Sequence, residues 1–344
     1  MANSKTAARP VRNRANTHSR RGVRRLFTAR AAAGACLLGW AVLAGAQTYP
    51  NRPIRMFVGY AAGGGADALA RLTATHIGET LGQSVVVENR PGAGGTVAAD
   101  ALAKAPADGY TLYFADTAVL IAPSVYPSVP YDPVKSFAPV AAVATLPLVV
   151  VTNPQVPAKN ATELIALLKA NPGKYSYGSP GIGTVHHLAM ELFRKQGGFE
   201  YVHVPYKGAT AFIPDLVSGQ LPVGILSAPP ALAQVKAGKV RAIAITSPAK
   251  IAGAGEWPAL ADTLPGFDAS PALFIVAPAG TPAPVVSRLE AAVKAMQAKP
   301  AVQEALNAQG ALPMNAGADE LGRFIGGEVR KWSTIARDAG AKAQ

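Results

Sequence analysis

Ile54-Arg55-Met56-Phe57-Val58-Gly59-Tyr60-Ala61-Ala62-Gly63-Gly64-Gly65-Ala66-Asp67 is the stretch that decides the fold class. Residues 54–58 read as a short buried strand, and a glycine-rich turn follows at once. Beyond the turn, Ala70, Thr73, Ile77 and Leu81 recur at three- and four-residue spacing, which predicts a helix over 67–81 with one apolar stripe. Strand, glycine turn and helix in that order open a β–α–β unit. The design recurs downstream. Tyr175-Ser176-Tyr177 reads as a strand, Gly178-Ser179-Pro180-Gly181-Ile182-Gly183-Thr184 as its turn, and 183–196 as a helix with Val185, Leu188, Ala189 and Leu192 on one face.

Outward from these two turns, strands are expected at 84–87, 110–114, 147–151, 201–204, 223–226, 240–246 and 272–276, and helices at 96–103, 162–170, 284–298 and 318–339. Such alternation predicts an α/β protein of two lobes, each with a parallel sheet faced by helices. Pro123, Pro127, Pro130, Pro133 and Pro139 read as a proline-punctuated surface passage. The closing helices need a packing partner, and the first lobe is the expected one. The chain then crosses twice between lobes, with 47–148 plus 268–344 in the first and 149–267 in the second.

Residues 1–46 read as an export signal. They carry nine basic residues and no acid, then a small and apolar run from Ala31 that ends Ala44-Gly45-Ala46, where cleavage is expected. That run is shorter than the roughly 20 apolar residues needed to span hydrocarbon. Ser19-Arg20-Arg21-Gly22-Val23 and Arg24-Arg25-Leu26-Phe27 both admit twin-arginine registers, so the export route stays open. Removing nine of the 33 basic residues leaves 24 against 20 acids, so a formal +13 falls to +4. Nucleic-acid binding thereby loses its main support. The single cysteine, Cys36, lies in the signal without a proper lipobox before it, which excludes disulfides and a thiol nucleophile from the mature chain.

Both glycine turns lead into helix starts, whose N–H groups lack intrahelical acceptors and carry partial positive charge. Each is therefore a candidate anion cradle, placed where open α/β sheets bind ligands. Candidate ligand-binding residues are Tyr60, Ala61, Ala62, Gly63, Gly64, Gly65 and Asp67 in the first turn, and Ser179, Gly181, Gly183 and Thr184 in the second. Asp67 reads equally as an N-cap for its own helix. Gly63-Gly64-Gly65 lacks the Lys and Ser/Thr of a phosphate-binding P-loop, and His186, His187, His76 and His203 have no metal-ligand spacing. No metal, cofactor or catalytic residue is expected, and no Gly-x-Ser-x-Gly elbow is present.

The mature chain resembles the tripartite tricarboxylate transporter substrate-binding receptors, the Bordetella uptake type of periplasmic binding protein. The resemblance is carried by Tyr49-Pro50-Asn51-Arg52-Pro53-Ile54, by Ala61 to Asp67 with Ala70-Arg71, and by Val86-Val87-Glu88-Asn89-Arg90-Pro91-Gly92-Ala93-Gly94-Gly95. Asp108-Gly109-Tyr110-Thr111-Leu112, Pro130-Tyr131-Asp132-Pro133, Tyr177 to Thr184, His203-Val204-Pro205-Tyr206-Lys207-Gly208 and Ala277-Pro278-Ala279-Gly280-Thr281-Pro282 complete it. It implies a type II periplasmic binding fold that closes on a small carboxylate: a di- or tricarboxylate, an amino acid or an aromatic acid. It implies no enzyme activity, and a monomer that serves a membrane permease or, alternatively, a sensor kinase. It also implies that Asp116-Thr117-Ala118 and Tyr206 line the cleft. Asp116 places an acid near a site for anions, and if it points inward the guest is one that carries an amine.

Overall fold

The computed structural model describes residues 7–8, 49–63, 65–206, 209–251, 254 and 257–342, and Tyr49–Gln344 forms one compact unit. The expected signal with Cys36 and the cleavage point at Ala46 lies outside the described residues but for 7–8, and so do Gly64, Lys207, Gly208 and Glu256.

The strands, in chain order, are β1 (Ile54–Val58), β2 (Val85–Asn89), β3 (Thr111–Asp116), β4 (Phe137–Thr145), β5 (Leu148–Thr152), β6 (Ser176–Ser179), β7 (Val202–Pro205), β8 (Val223–Ser227), β9 (Arg241–Ile245), β10 (Ala272–Pro278) and β11 (Leu312–Pro313). They form two sheets, ordered β11-β4-β10-β3-β1-β2 and β7-β6-β8-β5-β9. The helices that matter here are α1 (Gly65–Leu81), α2 (Thr96–Ala103), α3 (Ala118–Val125), α4 (Ala161–Ala170), α5 (Val185–Gly197), α6 (Ala209–Ser218), α7 (Ala228–Lys236), α8 (Ala283–Gln297), α9 (Pro300–Ala308) and α10 (Ala318–Asp338).

The sheets are mixed rather than parallel, and the two crossings explain why. β1, β2 and β3 run parallel, as do β6, β7 and β8. β4 and β9 end at the same edges as these strands, and the chain then passes to the other sheet. A strand entered from a crossing must begin at the edge that faces the neighbouring lobe. β5 and β10 do so, pairing Leu148 with Ser227 and Leu273 with Asp116, and are therefore antiparallel to both their neighbours.

Successive side chains face opposite sides of each sheet, as a pleat dictates, and in β3, β5 and β10 both sides are buried. Ile54, Met56 and Val58 face Leu69, Ile77 and Met296 of α1 and α8, whereas Phe57 and Tyr113 face the side covered by α2, α3 and the start of α10. In the second sheet Val149 and Val151 meet Phe212 and Leu216 of α6, and Val150 and Ile225 meet Leu164 and Phe193 of α4 and α5.

The proline passage expected at the surface is a loop over 126–136, with Pro127 and Pro130 exposed, but its ends belong to α3 and β4. Pro123 sits inside α3 and withholds the N–H that would reach the Val119 carbonyl. The Tyr131 hydroxyl donates to that carbonyl at 3.0 Å, so the buried acceptor is satisfied. Pro139 pairs with Val276 beside a register shift, a position where a missing ladder donor is tolerated. Prolines also conceal α7 and α9, where they stand in the first turn as helix starters rather than as breakers.

α10 reaches both lobes. Leu321 and Ile325 pack with β4 and β10 residues, whereas Trp332, Ile335 and Ala336 join the core built on α4 and α5. Trp332 is fully buried, and its Nε1 donates to Glu328 Oε2 at 2.6 Å. Trp332→Ala should lower the unfolding free energy by about 3–5 kcal/mol. Urea denaturation measures it, and a loss below about 1 kcal/mol would show that the helix end is not part of the second core.

Candidate functional site

The first glycine turn is held by a buried carboxylate. Asp67 accepts from Gly63 N–H at 2.9 Å, from Arg71 Nε at 3.0 Å and from Asn89 Nδ2 at 2.8 Å. Asn89 Nδ2 also reaches the Tyr60 carbonyl at 3.0 Å. The Arg71 guanidinium, helped by the Gly63 amide, holds the Asp67 carboxyl down at about 2. Asp67 thus reaches back to clamp Gly63, two residues before its own helix.

The second turn has its own scaffold. Thr184 caps α5 by accepting the His187 N–H at 3.2 Å, and Gly183 N–H donates to His187 Nδ1 at 3.1 Å. Ser179 Oγ lies 2.7 Å from His203 Nε2 and accepts Gly181 N–H at 3.2 Å. His203 stacks between His187, at 4.1 Å, and Tyr177, at 4.7 Å. Gly183 has a φ of 75°. A Cβ there would stand 2.2 Å from Val125 Cγ1, so the missing side chain lets α3 of one lobe touch the turn of the other.

Between the sheets' carboxyl ends lies a cavity of about 320 Å³. Tyr60, Ala66 and Asp116 line it from one lobe, and Gly183, Val185 and His186 from the other. Leu146 and Pro271, one in each crossing, also contribute. Among the described residues the N–H groups of Ala66, Val185 and His186 find no protein acceptor, so unpaired donors of both helix starts belong to residues of one cavity. Ala118, Ala122, Leu146, Leu148 and Leu273 give the wall an apolar part, and no Lys or Arg is among its described lining residues.

Two polar pairs stand in that wall. The Tyr60 hydroxyl donates to Asp116 Oδ2, and Ala118 N–H donates to Asp116 Oδ1 at 2.8 Å. Burial raises Asp116 above the usual carboxylate range, against the pull of these two donors. His186 Nε2 lies 3.2 Å from Ser227 Oγ, and burial pushes the ring down to about 4, so it is neutral at neutral pH. A larger concavity of about 530 Å³ lies over β4 between α8 and the start of α10, remote from these strand ends.

Of the residues singled out in the sequence, the cavity gathers Tyr60, Asp116, Gly183 and Thr184. Ala61, Ala62, Gly63 and Gly65 form the exposed turn beside it. Thr117 and Ser179 are fully buried, and Thr117 Oγ1 accepts the Ala272 N–H at 2.8 Å. Gly181 accepts from Thr184 Oγ1 at 2.7 Å, and Tyr206 donates to Asp215 at 2.7 Å. The sequence reading missed Ser227 and a lining role for His186. Both stand at carboxyl ends or helix starts, the positions where such sheets bind ligands.

Residues 69–341 match the family described as tripartite tricarboxylate transporter family receptor. Protein BugT of Bordetella pertussis is 39% identical over 308 residues, which cover 88% of this chain and 94% of that protein. A solved R. palustris protein with adipate is 31% identical with a TM-score of 0.74, covering 86% of this chain and all of the other. MatC from Rhodopseudomonas palustris, solved with bound malate, is 29% identical with a TM-score of 0.69 over 83% of this chain and 99% of its own.

Gly183→Ala should cost about 1–3 kcal/mol, part of it backbone strain at a φ of 75°, and should cost less in a Val125→Ala background than in the wild-type chain. Urea melts of the four chains of this double-mutant cycle decide it, and strictly additive losses would mean that the two side chains do not meet there. The histidine stack gives a pH dependence. Burial pushes His187 and His203 down to about 4 from 6.5. The unfolded chain then binds more protons in that window, so stability falls as pH drops from about 6.5 towards 4. A His187→Asn, His203→Gln variant, which keeps Nδ1- and Nε2-like atoms, should show a shallower fall in Tm. An unchanged slope would remove the stack as its cause.

Proposed function

The chain belongs to the tripartite tricarboxylate transporter receptor family, and from that premise we propose that it is a monomeric periplasmic receptor that captures a small carboxylate for a tripartite permease. The family is one of solute-binding receptors and not of enzymes. The observation that carries the finer reading is the single cavity at which Ala66, Val185 and His186, with unpaired N–H groups, meet. The adipate and malate of the two Rhodopseudomonas relatives support a carboxylate guest here as well.

In this reading the lobes divide as 47–148 plus 268–344 and 149–267, and the guest binds where they meet. Tyr60, Asp116, Gly183 and Thr184 contact it, while Asp67, Thr117, Ser179, Gly181 and Tyr206 hold the surrounding turns in place. Each helix start contributes typically 0.3–1 kcal/mol and up to about 2 when partly buried. Micromolar affinity needs about 8 kcal/mol. Two helix starts do not reach that figure, so the Ser227 hydroxyl, apolar contact and lobe closure supply most of the rest.

Thermal melts against a panel of adipate, malate, succinate, benzoate and neutral sugars test the reading. At about 100 times its Kd a true ligand adds about 2.7 kcal/mol of stability. At least one carboxylate should raise Tm accordingly and the sugars should not. Stabilisation by sugars with every acid inert would overturn it.

A further inference from the structure

The described lining of the cavity holds one side chain with a formal charge near neutral pH, and its sign is the wrong one for a simple anion site. Asp116 is the last residue of β3, and its carboxyl lines the cavity with both oxygens already oriented, one by the Tyr60 hydroxyl and the other by Ala118 N–H at 2.8 Å. A carboxylate has about four acceptor positions, so two donors fix its plane and leave room for a third on the cavity side. No Lys or Arg stands opposite it among the described lining residues, and His186 is neutral.

A guest carrying only carboxylates would bring like charge up to this acid in a cavity of low polarity. A guest with an ammonium group would instead meet an oriented acceptor and form a charge-assisted hydrogen bond. The two kinds of partner are set apart in the fold. Asp116 belongs to the first lobe, and the unpaired Val185 and His186 amides begin α5 of the second. Between them Ala118, Ala122, Leu146, Leu148 and Leu273 offer an apolar wall for a short carbon chain.

We propose that Asp116 selects an ammonium-bearing guest, so that the preferred ligands are amino acids or related amino carboxylates rather than plain di- or tricarboxylic acids. Its carboxylate end faces the start of α5, its ammonium group faces Asp116, and Tyr60 is the positioning residue that aims the acid. This rests on the carboxylate reading of the cleft and narrows it.

Calorimetric titrations at neutral pH with matched pairs test it: L-glutamate against glutarate, L-aspartate against succinate, and L-leucine against 4-methylpentanoate. In at least one pair the amino member should bind about tenfold tighter or more. Asp116→Asn, which keeps the shape and the acceptor for Ala118 N–H, should weaken that member by a similar factor and leave its desamino partner unchanged or tighter. The proposal is overturned if the desamino acids bind equally well or better to the wild-type chain, a comparison that needs no variant to fold. It is equally overturned if Asp116→Asn leaves the amino member's affinity intact. If plain acids bind and amines add nothing, only this narrowing fails; if no acid of either kind binds, the carboxylate reading fails with it.

Discussion

Peptide N–H groups at a helix start have no acceptor within their own helix, and the whole arrangement of this chain follows from where it puts them. The carboxyl ends of β1, β3, β6 and β8 share one cavity because the two strands entered from a crossing, β5 and β10, begin there and run the other way. Helices that follow the parallel strands must then start at the same place. Ala66 and the pair Val185 and His186, whose N–H groups find no protein acceptor among the described residues, line one cavity with no basic side chain beside them among its described lining residues. Backbone donors suit a receptor that must release its guest, since each contributes little alone and their sum depends on both lobes being in contact.

Charge is handled by keeping it occupied elsewhere. Asp67 lies at a helix start, yet Arg71, Asn89 and Gly63 N–H take up its oxygens, so the turn is rigid without presenting an acid. His187 and His203 are kept neutral by burial and stack beneath the second turn, where His187 Nδ1 accepts the Gly183 N–H. Asp116 is the exception, because it keeps an acid at the cavity wall with its geometry fixed from both sides. Pairing Asp67 beside the cavity and orienting Asp116 in its wall is the arrangement that the proposed selectivity requires.

Much of the fold was legible because its periodicities are local. The strand at 54–58, the stripe of Ala70, Thr73, Ile77 and Leu81, and the amphipathic faces of α5 and α10 appear in the structure within a few residues of where the spacing places them. Local reading failed where a distant partner changes what a residue means. Pro123 is tolerated in α3 because Tyr131 satisfies the carbonyl it orphans, and Pro139 fits β4 beside a register shift that β10 defines. Strand direction was likewise hidden, since nothing in β5 or β10 marks the end from which the chain enters. At the site, both glycine turns were evident, whereas Ser227 and the lining role of His186 depend on strand ends converging from distant parts of the chain. Gly183 was read as a ligand-binding residue, and the structure gives it a further task, the close approach to Val125.

Amide chemical shifts offer the most direct test of the backbone-cradle account. In a ¹⁵N–¹H titration of the labelled protein with a carboxylate that binds, the amides of Ala66, Val185 and His186 should move furthest, with those of the remote concavity around Glu290 and Lys294 unmoved. Saturable binding that leaves those three amides in place would contradict the account.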